Sequence, residues 1–272
     1  MSSKALIRKP SKIRPVLISS VVFPPALITQ RTYREAHANQ IAAEMDFNKL
    51  GFPIVNHKGS QNRVLDGQHR IKALLIYDPS LADTNLDCEV YEDLTEQEEA
   101  EIFLGRDRRK AIPPFDKFHV SCTAGHKREN DIRRAVEANG QKIARDKDEG
   151  ISAVGSLGKV YDRAGDVVLG QVIRAINLGF GGDPLAFDRS VIEGLGLVFH
   201  RFNGRTNEKA VAHRLSELRK GAHELLLKAE SLRQKTGNQK THCVAAVVVD
   251  IYNKGMGPRD SQRLPSWWKE TV

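Results

Sequence analysis

Asp66, Gly67, Gln68, His69 and Arg70 stand in unbroken succession, and their side-chain types suit the handling of a phosphate. A short apolar run, Val64-Leu65, ends in Asp66-Gly67. Gln68 then opens a segment with helical apolar spacing at Ile71, Leu74 and Leu75. An acid, a flexible turn, an imidazole and a guanidinium therefore gather at one helix N-terminus. The first N–H groups of a helix have no intrahelical acceptor and its dipole is positive there, so an anion is favoured. Gly67 permits close backbone approach, and Arg70 offers a forked pair of donors. His69 is a candidate phosphate donor or general acid/base near neutral pH. Asp66 is the second catalytic candidate: it can hold a ribose hydroxyl, meet a metal through water, or cap the helix.

The elements that must position these residues read as α/β. Strands are expected at 15–22, 53–57, 62–66 and 86–91, and helices at about 35–49, 68–77 and 95–105. A turn is expected at Lys58-Gly59-Ser60. Thr95 followed by Glu98 forms a capping-box signature at the third helix. Pro113-Pro114 punctuates the chain, and beyond Phe115 the pattern is helical throughout. Segments are expected at 116–123, 126–139, 151–161, 167–178, 189–202, 207–218, 222–234 and 241–252, the last apolar enough for a buried helix or a strand and read as helix from its helical surroundings. This gives a basic tail (1–14), an α/β domain (15–118) and a basic, mainly helical domain (119–272).

The run Asp66-Gly67-Gln68-His69-Arg70 after a strand resembles the nucleotide-binding motif of the ParB/sulfiredoxin-like superfamily. The order of elements over residues 12–118 is similar too: Val16-Leu17-Ile18, Gln30-Arg31, a polar helix, Gly51-Phe52-Pro53-Ile54-Val55, a turn, then the motif. The resemblance implies a ParB/sulfiredoxin-like N-terminal domain that binds a nucleoside triphosphate with Mg²⁺. Gln30-Arg31 stands where such domains carry a Gln-Pro-Arg element, without the proline, and makes Arg31 a phosphate contact. A second basic cluster, Arg106, Arg108 and Arg109, corresponds to a Glu-Asn-x-Gln-Arg motif that contributes to triphosphate and Mg²⁺ binding. Leu104 and Gly105 replace its glutamate and asparagine, so ParB-type hydrolysis loses its usual metal ligands here while arginine contact with phosphate survives. The sulfiredoxin cysteine has no counterpart beside the motif, which argues against reductase chemistry. ParB-like domains often form homodimers. The remainder of the chain resembles proteins of actinobacterial phages that carry such an N-terminal domain.

Charge points to a polyanionic partner. The net charge is +8. Residues 1–120 hold 17 Lys/Arg against 16 Asp/Glu, whereas residues 121–272 hold 25 against 18. The excess in the second half makes DNA the expected partner, with Lys127, Arg128, Arg133 and Arg134 as its contacts. The first of these open a helix, where the dipole disfavours cations, so an external anion is expected. The function read from these features is a nucleotide-binding, DNA-associated protein whose nucleotide state controls DNA or partner binding. The alternatives are a phosphoryl-transfer enzyme (with Glu35 as the base of a small-molecule kinase), a DNA-binding regulator without nucleotide, and a ParB-like nuclease, the last without a metal-nuclease carboxylate cluster to support it.

Other patterns carry less. Gly155-Ser156-Leu157-Gly158-Lys159 lacks the first glycine and the Ser/Thr of a phosphate loop. His119, Cys122 and His126 lack a matching Cys/His pair, so no resident metal is expected. Trp267-Trp268 is read as an anchor onto the helical domain. Three widely separated cysteines, Cys88, Cys122 and Cys243, suit a reducing cytoplasm rather than a disulfide framework. No apolar run reaches the ~20 residues of a membrane span, and the basic N-terminus lacks the apolar core of a signal peptide.

Overall fold

A computed structural model describes residues 9–105, 112–206 and 208–268. The chain divides into two compact units, residues 1–127 and 128–272. The boundary falls at the first residues of a helix, about nine residues beyond the expected one at 118.

The first unit contains β1 (Lys12–Leu17), β2 (Val21–Val22), α1 (Glu35–Ala43), β3 (Ile54–Lys58), β4 (Gln61–Asp66), α2 (Gln68–Tyr77), β5 (Asn85–Glu92), α3 (Glu96–Gly105) and α4 (Pro114–Thr123). The strands form one sheet in the order β1-β5-β3-β4-β2. β3 pairs antiparallel with β4 and parallel with β5, so the β3–β4 hairpin is inserted beside a crossover strand. The strand expected at 15–22 is divided: Ile18–Ser20 forms a 3-10 turn, and its two halves lie at opposite edges of the sheet. β1 begins at Lys12, inside the stretch expected to be a tail. Lys12 faces Val90 of β5, and Arg14 pairs with Glu92 at 2.9 Å. α1 stops at Ala43, short of the expected 49, and Phe47–Lys49 makes a separate turn capped by Asp46.

Both faces of the central strands are buried. Val55, Val64, Ile71, Leu74 and Val90 share one cluster, which places α2 on that face. Ile54, Leu65 and Leu94 share another, with Ile102 of α3 against it. A polar network locks α3 to the sheet. Glu99, only 1% exposed, accepts from Asn56 Nδ2 at 2.7 Å and from Arg63 Nε at 3.1 Å. The capping box forms in both directions: the Thr95 N–H donates to Glu98 Oε2 at 2.8 Å, and the Glu98 N–H to Thr95 Oγ1 at 3.3 Å.

The second unit is helical among its described residues: α5 (Lys127–Glu137, which crosses the boundary), α6 (Val154–Phe180), α7 (Arg189–Arg201), α8 (Glu208–Ser216), α9 (Gly221–Thr236) and α10 (Lys240–Tyr252). α6 packs on α7 and α8, and α10 packs on α7 and α9. The two helices expected at 151–161 and 167–178 are both present within α6, separated at Gly165, whose φ of 80° and ψ of −177° are non-helical and readily adopted only by glycine. Trp267 is buried against Phe202 and His242, with the Arg201 guanidinium 4.8 Å from its ring, so it anchors the C-terminal segment as expected.

Candidate functional site

A cavity of about 840 Å³ opens in the first unit at the junction of β4 and α2. Asp66, Gly67, Gln68, His69 and Arg70 all line it, together with Gln30, Arg31, Glu89 and an apolar wall that includes Ile41, Phe52 and Phe103. Its size falls within the ~300–1,000 Å³ usual for small-molecule sites.

The turn that carries the motif is built by a register shift. Val55 faces Val64, but Ile54 faces Asp66, so Leu65 is an extra residue on β4. Such a bulge bends the strand and redirects the residues after it. Gly67 follows at φ 102°, and a Cβ there would lie 2.8 Å from Pro53 Cβ; glycine is required by both conformation and space. No acid occupies the first turn of α2, so the positive end of its dipole is not countered from within the helix.

Within this turn much of the polar chemistry is satisfied internally. Asp66 Oδ1 accepts the Gly67 N–H at 2.8 Å, and Oδ2 accepts Arg70 Nη2 at 3.1 Å. Arg70 Nη1 donates to the Leu50 carbonyl. The Arg70 fork, expected to grip a phosphate, is thus committed to fixing the loop before β3 and the carboxylate before α2. His69 is 6% exposed, its ring stacked on Tyr33 at 5.3 Å and tilted against His37 at 5.1 Å. Its Nε2 accepts the Arg34 N–H at 3.1 Å. A nitrogen accepting a backbone N–H carries no proton, so His69 Nε2 is not a proton donor to a ligand; it holds the loop in front of α1. Gln68 differs from its neighbours. Its Oε1 is buried and has no hydrogen-bond donor among the described residues.

That loop supplies the cation. The Gln30 side chain, 3% exposed, donates to the Val64 carbonyl of β4. The Gln30 carbonyl accepts the Leu27 N–H at 2.8 Å, and the Thr32 N–H donates to buried Asp116 of α4 at 3.1 Å. Leu27 is held at φ 71°, a left-handed conformation costly for a branched-chain residue. Anchors from β4, α2 and α4 therefore fix the backbone on both sides of Arg31. Its guanidinium has no hydrogen-bond or ion-pair partner among the described residues. Glu89, on β5, two strands from β4, was not expected at the site; it enters because β3 brings β5 alongside. Its Oε1 accepts Ser11 Oγ at 2.9 Å and Tyr91 Oη at 3.2 Å.

Other expected residues lie elsewhere. Glu35 is exposed at the start of α1 and does not line the cavity. Arg106, Arg108 and Arg109 lie outside the described residues.

The residues expected to meet DNA are largely engaged within the second unit. Arg128 makes a bidentate pair with Asp162 of α6, at 2.6 and 2.7 Å, and a third bond to Glu129 at 2.7 Å. These hydrogen bonds, Asp162 first, raise its pKa. The anion that offsets a cation at the start of α5 is thus the chain's own Asp162, not an external one. Arg134 pairs with Asp131 within α5, which also accepts Tyr161 Oη at 2.6 Å. Arg133 is exposed and, among the described residues, donates to Asn130 at 2.8 Å, and Lys127 is exposed. In the sequence resembling a phosphate loop, Gly158 leaves space for the Arg128 guanidinium and Lys159 pairs with Glu193 at 3.0 Å.

Residues 24–223 match a family described as "Family of unknown function (DUF6551)". The chain belongs to this family. The matched span begins just before the Leu27–Arg34 loop, includes the cavity residues named above, and runs on to α9. No curated protein and no solved structure matches the chain. Among the described residues no helix is long and apolar enough to cross a membrane.

Proposed function

We propose that the first unit is a ParB/sulfiredoxin-like domain that binds a nucleoside triphosphate, and that its nucleotide state controls association of this DUF6551-family chain with DNA or a protein partner. The observation that carries the reading is Arg31: a guanidinium without a protein partner among the described residues, on a loop anchored from three elements, in a cavity that also contains the opening of α2. A cation and a helix N-terminus facing one cavity favour a phosphate. The arrangement assigns the motif's own residues to scaffolding. Asp66 and Arg70 shape the turn, and His69 holds the Arg31 loop.

A Mg²⁺ that travels with the phosphates needs one or two carboxylates. Among the described residues no group of three or more His, Cys, Asp or Glu side chains converges on a point. The described cavity carboxylates, Asp66 and Glu89, both already accept hydrogen bonds, and such an ion would have to displace a donor from one of them. The ion would neutralise charge between phosphate oxygens.

DNA association rests on the basic excess of the second half of the chain, with Arg133 the expected contact that has no acid partner among the described residues. Salt bridges withdraw Arg128 and Arg134 from the expected contacts.

The test is thermal denaturation with ATP, CTP, GTP and UTP, with and without Mg²⁺, on the wild type and Arg31→Ala. A ligand bound only by the folded state raises its melting temperature by mass action. The reading requires a rise with at least one nucleotide that Arg31→Ala diminishes. No rise at millimolar nucleotide would overturn it.

A further inference from the structure

Phe52 is an aromatic side chain of the cavity wall that the fold does not use. It lines the cavity together with Ile41, Phe103 and Ile112, yet it is 52% exposed. It is not among the side chains packed against either cluster of the sheet. Among the described residues its ring meets no other aromatic ring and no cation, whereas the rings of Tyr33 and His37 both lie against His69. The backbone that carries it is fixed on both sides. Leu50 is buried in the core, and its carbonyl accepts from Arg70 Nη1. Gly51 turns the chain at φ 58°. The Pro53 carbonyl accepts the Glu89 N–H at 2.8 Å, and Ile54 is buried in β3. Standing before a proline, Phe52 is itself restricted to extended backbone. An exposed apolar residue scattered on a surface needs no explanation. A ring on an anchored loop at the wall of a cavity is different: it keeps a flat apolar face in water on a support that is already ordered.

The ring also stands close to the opening of α2. A Cβ on Gly67 would lie 2.8 Å from Pro53 Cβ, so Pro53 packs on the turn that begins the helix. Phe52 is one peptide away, about 3.8 Å between Cα atoms. A ligand whose phosphates meet the start of α2 has its remaining groups within reach of this ring. A phosphate chain offers an apolar ring nothing. A nucleobase is flat and aromatic, and only a sugar separates it from the phosphates. We propose that Phe52 is the platform on which the base of the bound nucleotide stacks, a proposal that rests on the nucleotide reading of the cavity and deepens it. Every base has a π-face, so stacking tolerates base identity. Phe52 therefore supplies preference for a nucleotide over bare polyphosphate rather than choice among bases.

The experiment is calorimetric titration of the full chain with ATP, CTP, GTP, UTP and inorganic triphosphate, all with Mg²⁺. Wild type, Phe52→Ala and Phe52→Tyr are compared, and the melting temperature of each is measured without ligand. The wild type is expected to bind at least one nucleotide more tightly than inorganic triphosphate. Phe52→Ala is expected to bind that nucleotide roughly 5- to 100-fold more weakly, the range for loss of one base–aromatic stack. Its affinity for inorganic triphosphate is expected to be unchanged, and its melting temperature to stay within about 2 °C of the wild type, as at a half-exposed position. Phe52→Tyr, which keeps the ring face, is expected to retain the wild-type preference. Unchanged nucleotide affinity in Phe52→Ala would overturn the proposal and leave the nucleotide reading intact. Equal losses for nucleotide and inorganic triphosphate, or a Phe52→Ala protein that melts several degrees lower, would show that the ring serves the fold and would also overturn it. A wild type that binds inorganic triphosphate as tightly as every nucleotide would leave a phosphate site without a base platform. A wild type that binds neither would overturn both readings.

Discussion

Two arginines line the same cavity and do opposite work. Arg70, within the most conspicuous motif of the chain, spends its fork on Asp66 and the Leu50 carbonyl. Arg31, from a stretch with no strong local signature, has no partner among the described residues, while its backbone is held by neighbours bonded to Val64, Asp116 and His69. The contrast teaches that residue type and spacing locate a site better than they assign roles within it. A guanidinium four residues after an aspartate on a helix start can be satisfied by that aspartate. One on a loop with no acid paired to it is open to an external anion.

The sharpest way to break the comparison is through stability. Arg70→Ala leaves Asp66 without its cation and Leu50 without its donor in a partly buried setting, and is expected to cost about 2–3 kcal/mol of the first unit's stability. Denaturant unfolding measures it, and a loss below about 0.5 kcal/mol would show that the fork is idle. Arg31→Ala is expected to do the reverse. It should change stability by less than about 0.5 kcal/mol, as at an unpaired surface position, and weaken nucleotide binding roughly 10- to 100-fold, the range for hydrogen bonds to charged groups.

The same distinction extends to the second unit. Arg128 resembles Arg70 in being engaged, but its pair with Asp162 is substantially exposed (41% and 55%), so solvent screening limits its value. Arg128→Ala is expected to cost about 0.5 kcal/mol and to leave any DNA affinity nearly unchanged. Arg133→Ala should lower the salt dependence of that affinity by about one unit of slope. Equal losses from the two variants, in binding measured across salt concentrations, would erase the distinction.

The smallest effect concerns a carboxylate that does not line the cavity. Glu98 has its carboxyl held below the ordinary range, first by the Thr95 N–H and then by Lys9. Its folded pKa lies below its unfolded value, so its contribution is present above the unfolded value of about 4.3 and is lost as pH falls through the folded one. Glu98→Gln is expected to remove that acid-limb dependence at a cost of about 0.5 kcal/mol near neutral pH. Acid unfolding curves unchanged by the substitution would contradict it.

What was legible in the chain was what local rules decide. α2 starts and ends where Asp66-Gly67 and the apolar spacing place it, and Thr95 with Glu98 marks α3 correctly. The two helices inferred on either side of Gly165 are both present within α6, because the glycine that ends the apolar rhythm also leaves helical φ/ψ. One strand was inferred where β1 and β2 go to opposite edges, since no local signal shows that Ile18–Ser20 turns the chain. At the site, Asp66 to Arg70 were recognisable because they are adjacent. Glu89 was not, because it reaches the cavity only through the order β5-β3-β4. The internal use of Arg70 and Arg128 was hidden for the same reason: Leu50 and Asp162 are 20 and 34 residues away.

The central claim is that Arg31, rather than Arg70, is the cation of a nucleotide site. The most direct test is calorimetric titration of the wild type and Arg31→Ala with the nucleotide that most stabilises the wild type, at a temperature where both are folded. The account predicts saturable binding to the wild type and a loss of roughly 10- to 100-fold in the variant with its melting temperature preserved. Unchanged affinity in Arg31→Ala would contradict it.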